Sequence, residues 1–162
     1  MRMRYLLPAA VAATIALSAM PALAGDAESA FLSKLAGTWT GTGVVTGTDT
    51  GSIACKMILK FAAGKLGFNG KCDVGDLGPP QSVSGTIAYS DKTKHYEAKG
   101  NGQTSVGTKS GSTLTFVTKL RQMGAAGTST MKLSAGSIVI DADIGRTGSK
   151  MGNYQSHIVL KK

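Results

Sequence analysis

The sequence predicts an all-β fold: a closed antiparallel barrel of eight to ten strands, with a short N-terminal helix closing one end. From residue 37 onward, apolar residues alternate with small or polar ones in ten runs, separated by clusters of Gly, Asp, Pro and Ser. This period of two is typical of half-buried strands. A helical pattern precedes the first run, and two cysteines face each other in neighbouring runs.

The N-terminus has the pattern of a secretory signal peptide. Arg2 and Arg4 precede an apolar run over residues 6–17, and Ala22-Leu23-Ala24 fits the small-x-small cleavage site. The run is shorter than the roughly 20 apolar residues that span a bilayer, so we expect no transmembrane segment in the mature protein. Residues 1–24 are therefore predicted to be removed, leaving 25–162 as a single domain in the periplasm or outside the cell.

A short helix is predicted next. Asp26 is a suitable N-cap, and Phe31, Leu32 and Leu35 recur at helical spacing. Gly37 is a suitable terminator. The ten strands that follow are predicted at 37–46, 51–62, 65–74, 82–90, 94–100, 103–110, 112–120, 128–134, 137–144 and 152–161.

The second and third strands predict their own register. A two-residue turn at Ala63 and Gly64 places the apolar residues of both strands on one face and Cys55 directly opposite Cys72. Cysteines so placed are close enough for a disulfide, which an oxidising compartment favours. Closing this loop contributes about 3 kcal/mol. The alternative is two separate buried thiols.

Strand direction predicts where a ligand enters. The connections at 75–81, 121–127 and 145–151 are long and lie at one end of the barrel, opposite the helix. Barrels of this size admit a ligand at such a mouth. Small inward residues such as Gly41 and Gly43 are expected to leave space in the interior. The residues predicted to line the cavity are Trp39, Met57, Phe68, Tyr89, Phe116, Met131 and Tyr154. A flattened barrel with a solid interior is the alternative.

The segment Leu35–Gly43 resembles the start of calycin barrels, in which Gly-x-Trp opens the first strand after a short helix; here the motif is Gly37-Thr38-Trp39. The ten-stranded layout is most similar to nitrobindin-type haem-binding barrels. That resemblance implies a ligand-binding interior and a haem-ligating histidine near the C-terminus, where His157 lies. The alternation in the last strand directs His157 outward, so we expect neither haem nor another cofactor.

A second resemblance is to small secreted barrels that inhibit bacterial metalloproteases. They share the Leu-x-Gly-x-Trp start and one disulfide between neighbouring strands, matched by Leu35, Gly37, Trp39, Cys55 and Cys72. This resemblance implies a protein-binding role exerted through an N-terminal arm, here residues 25–29.

The charge of the chain suggests a class of partner. Eighteen basic residues against nine acidic ones give +9, and the loss of Arg2 and Arg4 leaves +7. The excess is mostly Lys, with few aromatics, which disfavours nucleic acid. The hairpin register places Lys56 opposite Lys71 on the outer face, with Lys60 on the same face. This surface is either simply solvated or a docking site for anionic envelope components.

No catalytic constellation is readable. His95 and Glu97 share an outward face, and Asp141 and Asp143 alternate against apolar neighbours and form at best a weak cation site. With both cysteines paired, we predict no catalytic residues, no metal site and no enzyme activity. The predicted function is interior binding of a small apolar or amphipathic ligand; the alternative is inhibition of an envelope protease.

Overall fold

The computed structural model describes residues 24–122, 125–146 and 153–162. It contains a helix, α1 (Ala24–Lys34), a 3₁₀ turn (Gly75–Leu77) and ten strands: β1 (Gly37–Gly47), β2 (Gly51–Ala62), β3 (Lys65–Asp73), β4 (Gln81–Ser90), β5 (His95–Gly100), β6 (Gln103–Ser110), β7 (Thr113–Gln122), β8 (Ala125–Leu133), β9 (Ile138–Arg146) and β10 (Tyr154–Lys161). The predicted signal peptide lies outside the described residues except for Ala24, which begins α1.

The ten strands form one closed antiparallel barrel, which confirms the predicted fold class. Each strand pairs with its neighbours in sequence, and β1 pairs with β10 to close the sheet. Closure satisfies the backbone groups that an edge strand would expose.

The β2–β3 hairpin has the predicted register. Cys55 lies opposite Cys72 and Lys56 opposite Lys71. Ala63 and Gly64, both with positive φ (49° and 73°), form the tight turn. The positive φ values match the type of two-residue turn that suits twisted antiparallel strands.

Several predicted boundaries differ from the observed ones, and three of these differences change the description of a segment. Helix α1 begins at Ala24, so Asp26 lies in its first turn rather than before it, where its charge still favours the helix dipole. The predicted loop 121–127 is largely strand, since β7 continues to Gln122 and β8 begins at Ala125. Strand β9 likewise extends to Arg146, and the rest of the predicted loop 145–151 lies outside the described residues.

The barrel has a closed end and an open end. The closed end carries the short turns 63–64, 91–94, 111–112 and 134–137 and is covered by α1, whose Leu32, together with Leu35, is fully buried. Its inward-facing layer is also fully buried or nearly so: Trp39, Leu59, Leu66, Ile87, Leu114, Leu133, Ile138 and Leu160. The open end carries the connections 48–50, 74–80 and 101–102.

Candidate functional site

A cavity of about 350 Å³ occupies the open half of the barrel. Its rim includes Gln81, Asn101 and Gln103, which flank two open-end connections. Its volume falls within the range of about 300–1,000 Å³ typical of small-molecule sites. The prediction that a mouth forms opposite the helix therefore agrees with the position of this cavity.

The cavity wall is apolar over most of its depth and polar at its rim. The apolar lining consists of Ile53, Met57, Phe68, Val83, Ala98, Phe116, Leu120, Met131, Ile140 and Ile158. Among the described residues, the lining contains no Asp, Glu, Lys, Arg or His side chain. An ionised ligand would lose its hydration without gaining a counter-charge, at a high free-energy cost. The site is therefore suited to a neutral molecule.

Four of the seven residues predicted for the cavity lie together in its wall. They are Met57, Phe68, Phe116 and Met131, contributed by β2, β3, β7 and β8. Phe116 and Met131 are directly opposite each other in the β7–β8 ladder. These four side chains form much of the lower wall, next to the filled layer of the closed end.

The structure places the other three predicted residues elsewhere. Trp39 is fully buried at the closed end, where its Nε1 donates a hydrogen bond to the Leu35 carbonyl oxygen at 3.0 Å. Tyr89 packs edge-on against Tyr96 near α1, with ring centroids 5.2 Å apart. Tyr154 lies at the open end, and its hydroxyl donates to Asp49 Oδ2 at 3.1 Å. The prediction that a side chain points inward therefore did not show whether it lies in the packed half of the barrel or in the cavity.

The cavity residues that the sequence reasoning missed include three small hydroxyl residues, Ser105, Thr118 and Ser129. They are half-buried and point inward from β6, β7 and β8. The alternation along each strand does place them on the inward face, because each lies two positions from an inward residue of its own strand: Gly107, Phe116 or Met131. Ser and Thr are not counted as apolar residues, so a search for alternating apolar residues did not identify them.

The inward glycines of β1 do not create the cavity. A Cβ at Gly41 would collide with the Val159 carbonyl oxygen, and one at Gly43 would collide with that of His157. These glycines allow β1 to approach β10 closely. The expectation that they leave room for a ligand was therefore wrong.

The disulfide forms part of the cavity wall. Cys55 and Cys72 are bonded, with Cα atoms 4.1 Å apart, and Cys72 lines the cavity. Cys55 is buried in the core. The bond joins β2 to β3 near the open end, where fewer large side chains hold the strands together.

The lysines of the predicted anionic-binding surface lie on the outer face. Lys56, Lys60 and Lys71 are exposed, and none forms an ion pair with a described residue. Lys56 and Lys71 are direct cross-strand neighbours. Like charges in this position are slightly destabilising.

A shallow groove of about 380 Å³ lies on the outer face of β8, β9, β10 and β1. In it, His157 Nδ1 lies 2.6 Å from Asp141 Oδ1, and Gln155 donates to Asp143 Oδ2 at 3.3 Å. His157 thus lies on the outer face, away from the cavity. Over the described part of the chain, no group of three or more His, Cys, Asp or Glu side chains could hold a metal ion.

A partly buried polar contact fixes α1 to the barrel. Tyr96 Oη and Lys109 Nζ, the latter at 3.0 Å, both donate to Glu28 Oε2. Burial raises the pKa of Glu28, but these hydrogen bonds and the Lys109 charge outweigh it, so the pKa lies below the ordinary 4.5. Burial, followed by the hydrogen bond to Glu28 and its charge, raises the pKa of Tyr96 above its ordinary 10.0.

This contact bears on the protease-inhibitor hypothesis. Residues 25–29, the predicted arm, belong to α1 and carry the Glu28 side chain that binds β5 and β6. A segment folded against the barrel does not extend toward a protease. The structure therefore does not favour the inhibitor alternative.

No protein family and no curated protein matches this sequence. Two among several solved structures that share its fold match it over nearly their whole length. The crystal structure of Rv2717c from M. tuberculosis has a TM-score of 0.57 and 11% identity, covering 83% of this chain and 97% of that one. The S-type phycobiliprotein lyase CPES from Guillardia theta has a TM-score of 0.59 and 11% identity, covering 86% and 97%. Both share the barrel fold of this chain, which is consistent with the predicted calycin-like fold.

Within the described ranges, no helix is both long and apolar enough to cross a bilayer.

Proposed function

We propose that this protein binds a small, neutral, apolar or amphipathic molecule inside its barrel, without transforming it. The observation that carries the proposal is the cavity of about 350 Å³, which is open at one end and whose lining, among the described residues, is mostly apolar and contains no Asp, Glu, Lys, Arg or His. Burying apolar ligand surface against such a wall contributes about 25 cal/mol per Å² before the costs of association.

The cavity volume limits the size of the ligand. At about 30 Å³ of liquid volume per water molecule, the cavity corresponds to roughly a dozen waters. A fused two-ring compound or a short-chain lipid is of suitable size. The S-type phycobiliprotein lyase CPES is built on the same barrel fold.

We infer that binding takes place in the periplasm or outside the cell. The basic and apolar pattern of residues 1–24 supports export. The Cys55–Cys72 bond is compatible with an oxidising compartment.

The first test is native mass spectrometry of the purified mature protein, with a co-purified small molecule as the expected result. The second is a titration with N-phenyl-1-naphthylamine, a neutral fluorophore whose emission rises in apolar surroundings. Saturable binding with one site per chain is expected. If no small molecule is retained and the fluorophore does not bind, the proposal is wrong.

A cavity-filling variant locates the site. Ala98 is half-buried and lines the cavity, so Ala98→Phe should abolish or strongly weaken fluorophore binding. Val106, which is 56% exposed, faces outward from the neighbouring strand, so Val106→Phe is the matched control and should bind like the wild type. Equal binding by both variants would place the fluorophore outside the barrel. Inhibition of a metalloprotease by a protein that binds no fluorophore would instead support the alternative function.

A further inference from the structure

Three hydroxyl groups form a short polar row across an otherwise apolar wall of the cavity. Thr118 and Ser129 are directly opposite each other in the β7–β8 ladder. Ser105 lies on β6, on the other side of Thr118, and its Oγ is 2.6 Å from Thr118 Oγ1. All three side chains are half-buried and line the cavity.

Apolar residues bound the row at both of its ends and on the side toward the closed end, whereas Gln103 follows Ser105 toward the open end. Ala98 lies opposite Ser105, and Ala142 lies opposite Ser129. One inward position closer to the closed end, β7 and β8 carry Phe116 and Met131. A molecule in the cavity therefore meets an apolar floor, the hydroxyl groups above it and the polar rim at the mouth.

The hydroxyls have unused hydrogen-bonding capacity. In the Ser105–Thr118 pair one hydroxyl donates to the other, which leaves one O–H and several lone pairs available. Ser129 Oγ has no hydrogen-bond partner among the described residues and faces the cavity. A ligand oxygen at this strip would accept hydrogen bonds from the free O–H groups, which an all-carbon ligand would leave without a partner.

We propose that the hydroxyl row, defined as Ser105, Thr118 and Ser129, selects neutral ligands that carry a hydrogen-bond-accepting oxygen, such as ketones, aldehydes, esters or alcohols. The apolar remainder of the ligand packs on Phe116 and Met131. This inference rests on the proposed interior binding and names the chemical class that the cavity prefers. Carboxylates are disfavoured because no cationic side chain of the described residues lines the cavity.

The test uses two probes of nearly equal shape, 2-acetylnaphthalene and 2-ethylnaphthalene, which differ by a carbonyl oxygen in place of two hydrogens. Their affinities are measured by displacement of N-phenyl-1-naphthylamine. One or two neutral hydrogen bonds correspond to a preference of about three- to tenfold for the ketone, after correction for its greater solubility in water.

Two variants assign that preference to the row. Thr118→Val keeps the side-chain shape, and Ser129→Ala removes a single oxygen; each should reduce ketone affinity while leaving hydrocarbon affinity equal or higher. Thr128→Val is the control, because Thr128 is exposed on the outer face of the same strand as Ser129. It should change neither affinity. Thermal unfolding of each variant verifies that the fold is intact.

The two ways in which this inference could fail are distinguishable. Equal affinities for the ketone and the hydrocarbon in the wild type would overturn the selectivity inference and leave interior binding intact. The same holds if the ketone preference persists in Thr118→Val and Ser129→Ala. If neither naphthalene probe nor the fluorophore binds, the proposed function fails as well.

Discussion

At the closed end of the barrel, large side chains from every side meet and exclude solvent, whereas at the open end the same strands carry Ala, Ser and Thr around a cavity. Strand β8 shows the difference within one element, since Leu133 is 1% exposed while Ser129, two inward positions away, faces the cavity. The closed end also has α1 above it. The comparison indicates that the packed core is concentrated at one end, and the proposed binding site lies at the other.

The largest expected loss of stability follows substitution of Trp39. Trp39→Ala removes a fully buried ring and its hydrogen bond to Leu35, and should lower the free energy of unfolding by about 3–5 kcal/mol. The matched change at the open end, Met131→Ala, removes a half-buried side chain from a wall that already borders space. It should cost about 1–2 kcal/mol. Chemical denaturation measures both, and equal losses would contradict the division between the two ends.

The disulfide is expected to be the main reinforcement of the open end. Cys55 and Cys72 are separated by 17 residues, and loss of the bond should destabilise the protein by about 3 kcal/mol through the entropy of the unfolded chain. The double variant Cys55→Ala/Cys72→Ala and the reduced wild type should both show melting temperatures several degrees lower. Thiol titration of the folded, exported protein should find no free thiol. Two titratable thiols would refute both the bond and the inferred compartment.

The attachment of α1 should depend on pH. The folded-state pKa of Glu28 lies below the ordinary 4.5, so the native state binds fewer protons than the unfolded state in that range. Its stabilising contribution is present above pH 4.5 and is lost as the pH falls through the folded-state pKa. Glu28→Gln should therefore cost about 1–2 kcal/mol at pH 7 and progressively less as the pH falls below 4.5. If Glu28→Gln destabilises the protein equally at every pH, the carboxylate charge does not contribute to the attachment of α1.

Tyr96 provides the opposite dependence at alkaline pH. Its pKa is raised in the folded state, so the native state keeps a proton that the unfolded state releases above pH 10. Stability should therefore fall as the pH rises above about 10. The decline should be weaker in Tyr96→Phe than in the wild type, as measured by urea unfolding at about pH 9 and about pH 11.

The smallest expected change in stability follows substitution of the lysines on the outer face. Lys56→Gln/Lys71→Gln removes two facing like charges and should leave stability unchanged or raise it by a few tenths of a kcal/mol. If this face docks to anionic envelope components, the variant should also bind anionic lipid vesicles more weakly at low salt. The control, Lys132→Gln/Lys161→Gln, changes the net charge equally at exposed outward positions. Equal vesicle binding by both variants would assign these lysines to solubility alone.

Much of the architecture was predictable because it depends on local patterns. Alternation located all ten strands, and the β2–β3 register followed from a two-residue turn and the cysteine positions. The error over 121–127 has a simple cause: Ala125, Ala126 and Gly127 pair with β7 residues, but small side chains carry no visible alternation.

The sequence by itself determined which side chains point inward, since that depends only on the period of two within each strand. It did not determine which inward side chains meet. Whether Tyr89 packs against Tyr96 or Phe116 borders a cavity depends on the stagger of all ten strands and on where α1 covers the end. The hydroxyl row has the same origin, because Ser105, Thr118 and Ser129 come from three strands and only closure of the barrel brings them together around one space.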